Sequence, residues 1–490
     1  MSATIDDIKK IDNLSSYKRI AVSREIYSDF ITPIELMRIL RSNSDKVFLL
    51  ESINDKYNWG RYTFLGYEPI LNITCKRYDV YINGEFYKKE NPKVIIREIL
   101  KDYKSPKLEN MPPFTGGFVG YFSYDYVRYS EKRLDFESKG EDIIDLDLML
   151  FESIICFDNF KQKIILITNV KIDDLDASYK EALNKLDEME SIIRSDKKHN
   201  FEDLKIKSDF EYEFDEDNYS NIVNKAKEYI KDGDIFQVVL SNTLRAKASG
   251  SLFNVYRVLR TINASPYMFY ILNNNIEIAG ASPETLVKLE DNKLYTYPLA
   301  GSRPRGKTQK EDLNNEKDLL SDEKELAEHN MLVDLARNDI GKISKIGTVN
   351  VEDYMSVERY SHIMHISSTV TGIIRDDKDA IDAIDSILPA GTLSGAPKIR
   401  ALEIINELET IDRELYGGAI GYIDFSGNMD VCIAIRLVYK KMDNICIRSG
   451  AGIVYDSDPK KEFLECINKA KAVVKAIEIS KEAFDDTFNR

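Results

Sequence analysis

The chain has 490 residues, of which 43% are hydrophobic, and a formal net charge of −15. This length exceeds a single small core and implies roughly two to four domains, and the acidic balance argues against non-specific nucleic-acid binding. No run approaches the ~18 apolar residues of a membrane span, and five scattered cysteines without CxxC spacing (Cys75, Cys156, Cys432, Cys446, Cys466) exclude a zinc ribbon or disulfide framework.

The N-terminus, MSATIDDIKKIDNL, has no apolar stretch for a secretory signal, so a cytoplasmic location is expected. Short apolar-aromatic runs follow, VFLLES (47–52) and WGRYTFLGY (59–67), each of strand length. VYINGEFY (80–87) reads as a hairpin because Asn83-Gly84 suits a type I′ turn. GGFVGYFSYDYV, LMLFESIICFD and KIILITNV continue the strand pattern. A charged helix near 174–195 then leads into a polar stretch ending in FEYEFDEDN, which reads as a linker. The first domain is placed at 1–205 and the second at 206–490.

The second half opens with a helix near 216–231 and the strand DIFQVVLSNTL, followed by PYMFYIL, IEIAGAS, ETLVKLE and KLYTYPLAG. One long charged helix is predicted over 309–340, then the strand-like ERYSHIMHISSTV, a helix near 378–388 and the glycine-rich PAGTLSGAPK. Three strands (416–425, 429–440, 444–451) precede a final helix that starts at Asp458-Pro459, an N-cap followed by proline. Many strands with little βαβ alternation imply an α+β fold with large antiparallel sheets.

One motif misleads. Residues 301–308, GSRPRGKT, match the P-loop pattern letter for letter. Pro304 lacks one of the N–H groups that cradle a phosphate, and Arg303 and Arg305 crowd the loop, so ion pairing is the better reading.

The chemistry-bearing pattern is two glutamate pairs, Glu325/Glu328 and Glu462/Glu465. Spacing of i,i+3 sets both carboxylates of a pair on one helix face, and four such oxygens suit a hard divalent cation. With 83 acidic residues in the chain, such pairs also occur on solvated faces. The first pair, however, precedes MLVDLARNDIG, too apolar for a purely solvated helix, and Lys469 follows the second on the same side. Gly391-Thr392-Leu393-Ser394-Gly395 and Gly450-Ala451-Gly452 are either tight turns or places where backbone N–H groups approach an anion. Arg436, mid-strand in VCIAIRLVY, is either paired and buried or aimed into a site. His362 and His365 face opposite sides of a strand, so at most one serves a given site.

AEHNMLVDLARNDIG, VERYSHIMHI, LPAGTLSGAPK, YGGAIGY, CIAIR and SGAGIVYDSDPKKEFLECINKA occur in the order found in the chorismate-binding enzymes, which this chain resembles over about 215–475. LLES with WGRYTFLG resembles the large-subunit branch of the anthranilate synthases and extends the match to nearly the whole chain. The resemblance implies two large antiparallel sheets packed as a sandwich with helices outside, interlacing N- and C-terminal regions. It also implies Mg2+ as cofactor. Family members that activate water carry a lysine where this chain has Gln237, and aminodeoxychorismate synthases carry one where it has Ala300. With both lysines absent, the resemblance implies that ammonia is the nucleophile and anthranilate plus pyruvate the products; aminodeoxychorismate synthesis is the alternative. No cysteine lies in a glutaminase elbow, so a separate glutamine amidotransferase subunit is implied, in a heterotetramer.

Residue by residue, the resemblance assigns Glu325, Glu328, Glu462 and Glu465 to the Mg2+ shell. Tyr416, Arg436, Gly450, Gly452 and Lys469 become substrate-binding residues. Glu284 resembles the general acid for the departing C4 hydroxyl, Thr392 a ring-carboxylate contact, and His365 the histidine that assists pyruvate elimination. Glu51, Ser52, Pro266, Tyr267 and Met268 resemble an inhibitory tryptophan site, with interdomain packing as the other reading.

Overall fold

The structure is a computed structural model that describes residues 4–52, 59–140, 144–274, 276–359 and 363–483. His362 therefore lies outside the described residues. The strands form two large sheets in which every pairing between described strands is antiparallel. In the first, five N-terminal strands run from Arg19–Tyr27 at the edge inward to Lys46–Glu51, which pairs with Tyr267–Asn273. From there Ile276–Ser282, Leu437–Lys441, Asn444–Ile453 and Gln237–Ser249 complete it. In the second, Ala419–Asp424 pairs with the N-terminal strand Gly117–Phe122. Both sheets are thus seamed from the two halves of the chain, which explains why neither half has a closed sheet of its own.

Aromatic residues fill the space between the sheets. Phe48 meets Phe151 edge-on with ring centroids 4.8 Å apart, and Phe114 stacks on Tyr422 at 4.5 Å. Phe48 and Phe114 are fully buried, each worth about 1.5–3 kcal/mol of transfer free energy. Helices cover the outer faces. Phe253–Ile262 buries Phe253, Val255, Tyr256, Val258 and Leu259 against the first sheet, and Ala380–Ile387 packs against the second. The Asn83-Gly84 turn has the expected positive φ at both residues, 52° and 85°.

Three expectations change. The polar linker is not free chain: Lys205–Ile206 and Glu211–Tyr212 pair with Gln237–Ser249, and Phe201 stacks on Phe253 at 4.2 Å. The long helix predicted over 309–340 is two, Gln309–Ser321 and Glu323–Gly341. Asp322 ends the first and caps the second, accepting from the amides of Lys324 and Glu325. Helical periodicity alone could not reveal the break, because a charged helix interior and a charged cap look alike.

The third change matters most. The strand predicted over 429–440 is two strands in different sheets, Met429–Ile433 in the second and Leu437–Lys441 in the first. Arg436 is not mid-strand; it sits at the crossing with φ of 53°, a left-handed conformation costly for a residue bearing Cβ. Beside it the chain crosses the other way, from Ile276–Ser282 to Thr285–Glu290, with Glu284 at the turn. The crossings clasp each other: Ile433 N donates to Glu284 O at 2.9 Å, and Ala281 N donates to Arg436 O at 3.1 Å.

Candidate active site

The paired crossings open one wall of a cavity of about 460 Å³, into which the structure brings every residue assigned above to catalysis, substrate or metal. Glu284 is half-buried, and desolvation in the cavity pushes its carboxyl up to about 7, against the pull of Thr392 and Lys469. Thr392 Oγ1 donates to Glu284 Oε1 at 3.0 Å from the short turn Gly391–Leu393. Arg436, half-buried and lining the same cavity, has no ion-pair partner among the described residues, and desolvation lowers its pKa. A largely desolvated guanidinium without a protein carboxylate is costly, and an anion in the cavity would offset that cost.

His365, on Ile363–Ile373, has Nδ1 2.9 Å from Gly301 O, which fixes the tautomer with Nδ1–H donating. Burial lowers its pKa, so the ring stays neutral. Gly450 and Gly452 lie on Asn444–Ile453. A Cβ at Gly450 would come 2.7 Å from Tyr416 Oη, and one at Gly452 would come 2.7 Å from Gln237 Nε2. These glycines therefore let Tyr416 and Gln237 reach the cavity. Gln237 Oε1 is buried without a hydrogen-bond partner, and Ala300 lines the cavity nearby.

The glutamate pairs descend on the cavity from two helices, Glu323–Gly341 and Pro459–Ala483. Burial first, and then Glu325, raises the pKa of Glu328; burial likewise raises that of Glu462, with Glu465 adding to it. Glu325 is held by Arg303 at 3.3 Å and Glu465 by Lys469 at 2.8 Å. Among the described residues no group of three or more acidic, histidine or cysteine side chains is gathered into a closed metal cage. The donor set is still all oxygen, crowded and partly desolvated, which suits a hard divalent cation that keeps waters. Lys469 also donates to Gly450 O at 2.9 Å, tying this helix to the substrate wall.

The P-loop look-alike is an ion-paired strand end. Arg303 binds Asp318, Asp322 and Glu325, and Arg305 binds Asp312 at 2.8 Å. Sequence reasoning missed the buried charges at the back of the cavity, Glu409, Arg413 and Arg448, although DRELYGGAIG places Arg413 three residues before Tyr416. His329, adjacent to Glu328, is fully buried, bonded to Ser368 at 2.7 Å, and pushed down to about 4 by burial alone.

A second cavity of about 390 Å³ lies on the seam of the first sheet, where Met268 pairs with Glu51. Glu51, Ser52, Pro266, Tyr267 and Met268 all line it. The Glu51 carboxylate accepts from Arg260 at 2.8 and 2.9 Å and from Tyr256 at 2.5 Å. Glu290 and Asp430 also line this cavity, and Ser52 Oγ is buried without a hydrogen-bond partner among the described residues.

The chain matches the sequence family described as chorismate binding enzyme over residues 47–475. It is 44% identical to anthranilate synthase component 1 of Acetivibrio thermocellus, covering 97% of this chain and 98% of that one. It is 40% identical to the Aquifex aeolicus protein of the same name, over 99% and 100% of the two chains. Among solved structures, anthranilate synthase component I from Streptococcus pneumoniae superposes with a TM-score of 0.75 at 35% identity, covering 91% of this chain and 98% of that one.

Proposed function

Because the chain belongs to the chorismate-binding enzymes, and within them to the anthranilate synthase component I proteins, we propose that the cavity at the paired crossings is where chorismate is aminated. The reaction is that of an anthranilate synthase in tryptophan biosynthesis: chorismate and ammonia give anthranilate, pyruvate and water. The observation that carries the site assignment is that one cavity holds both Glu284, its carboxyl pushed up to about 7, and Arg436, which has no ion-pair partner among the described residues.

Arg436 and Tyr416 hold the enolpyruvyl carboxylate, with the Gly450 and Gly452 backbone beside them, while Thr392 lies toward the ring carboxylate. Glu325, Glu328, Glu462 and Glu465 would hold Mg2+, which when bound would offset the charge of the ring carboxylate; Lys469 adds positive charge. Glu284 gives its proton to the departing C4 hydroxyl as ammonia bonds to C2 and the ring double bonds shift. His365, neutral and oriented by Gly301 O, then assists loss of the C2 proton and pyruvate, leaving the aromatic ring. Neither Gln237 nor Ala300 can act as an amine nucleophile or a base for water, so nitrogen must be supplied from outside the chain.

A glutamine amidotransferase subunit supplies that ammonia, in a heterotetramer in the cytoplasm. The component numbering of the relatives supports a second subunit, and no described helix is long and apolar enough to cross a membrane. Tryptophan occupies the seam cavity as feedback inhibitor. The division into 1–205 (regulatory) and 206–490 (catalytic) is supported by every lining residue of the catalytic cavity lying beyond 205, whereas both parts line the seam cavity. The isolated chain is expected to make anthranilate from chorismate with ammonium salts and to be inert with glutamine until an amidotransferase subunit is added. Glutamine-dependent synthesis by the isolated chain would overturn the two-subunit reading.

A further inference from the structure

Behind the catalytic cavity, one guanidinium touches several of its walls. Arg413 is 1% exposed and bonds Glu409 at 2.8 Å through Nε and at 2.5 Å through Nη2. Its Nη1 also donates to Leu393 O, and its Nη2 to Val239 O, each at 2.6 Å. Its face lies 4.7 Å from the Tyr124 ring centroid and 5.8 Å from that of Tyr416. The Glu409 carboxylate in turn accepts from the backbone amide and hydroxyl of Ser241, at 2.8 and 2.9 Å, and from Arg448 at 2.9 Å.

Each contact ends beside a cavity residue. Leu393 follows Thr392, Val239 and Ser241 share a strand with Gln237, and Arg448 precedes Ser449 and Gly450. We infer that the buried Glu409–Arg413 pair is a positioning element for this reaction, fixing the Gly391–Leu393 turn so that the Thr392 hydroxyl stays on Glu284. Neither residue touches substrate. A planar fork with five donors can bond a carboxylate and two carbonyls at once; a lysine ammonium cannot reproduce that geometry.

The inference rests on the proposed role of Glu284 as acid, and its test separates the two. Glu284 accepts from Thr392 and is drawn toward its charged form by Lys469 from the last helix, while Arg436, His365, Glu325, Glu328, Glu462 and Glu465 line the same cavity. The Thr392 hydrogen bond favours the charged carboxylate, so losing it raises the pKa and moves the alkaline limb of kcat/KM to higher pH. Ammonium-dependent pH profiles are measured for the full chain and for R413K, T392V, E284Q and the double variant R413K/T392V. R413K is expected to shift the limb upward by about half a unit or more, with T392V matching it and the double variant adding nothing. A limb unmoved in R413K while T392V moves it would overturn the inference, as would activity falling only with the folded fraction. A limb that persists in E284Q would instead overturn the acid assignment. The limb position does not depend on how much enzyme is folded, and E409Q, expected to shift the limb the same way, serves if R413K does not fold.

Discussion

Replacing Arg436 by alanine separates substrate binding from folding more cleanly than any other single change in this site. Arg436 has no protein ion-pair partner among the described residues, so its removal orphans no buried carboxylate. Its left-handed φ of 53° costs alanine about as much as it costs arginine, and the lost guanidinium relieves a desolvation penalty. Folding stability should therefore change by no more than about 1 kcal/mol, a shift of roughly 1 °C in melting temperature for a chain of this length. Binding should suffer far more. Truncating one partner of a buried, hydrogen-bonded charge pair costs about 2–5 kcal/mol, which corresponds to a loss of roughly 30- to 5,000-fold in kcat/KM for chorismate. The assay is continuous anthranilate fluorescence with saturating ammonium and Mg2+, run beside thermal unfolding. A kcat/KM within about threefold of the parent would refute the clamp. A loss explained by unfolding would refute the claim that the residue is free for substrate.

The other predictions concern the acid, the metal and the regulatory cavity. With Glu284 pushed up to about 7, its protonated form persists below that pH and is lost above it. The kcat/KM profile should accordingly fall on the alkaline side near pH 7, and a profile flat through pH 9 would be inconsistent with the assignment. Chelation by EDTA should stop synthesis and Mg2+ restore it. Glu465→Ala should abolish turnover with an unchanged circular-dichroism spectrum, because this side chain is exposed and, among the described residues, pairs with Lys469 alone; retained turnover would sink the metal reading. Tryptophan should inhibit, and Ser52→Phe should relieve that inhibition by filling part of the 390 Å³ seam cavity. Undiminished inhibition in that variant would place the effector elsewhere.

Much of the site was legible because its residues sit in contiguous motifs with helical or strand spacing. The i,i+3 glutamates mark one helix face each, and the last helix starts where Asp458-Pro459 says it must, with Asp458 accepting from Lys461 N at 3.0 Å. What the sequence could not reveal is three-dimensional closure. VCIAIRLVY is an unbroken apolar pattern, yet the chain changes sheets inside it, and only the φ of Arg436 betrays the crossing. The acid at 51 gives no sign in the sequence of its partners Arg260 and Tyr256, some 200 positions away. The Glu409–Arg413–Arg448 cluster was invisible for the same reason. Charged residues before a turn look solvated in a sequence, and only tertiary packing buries them.

The central claim is that this cavity aminates chorismate and aromatises it. Purified chain, chorismate, an ammonium salt and Mg2+ should yield anthranilate and pyruvate in equal amounts, identified by chromatography and by anthranilate fluorescence. Accumulation of 4-amino-4-deoxychorismate, isochorismate or salicylate in place of anthranilate would contradict it.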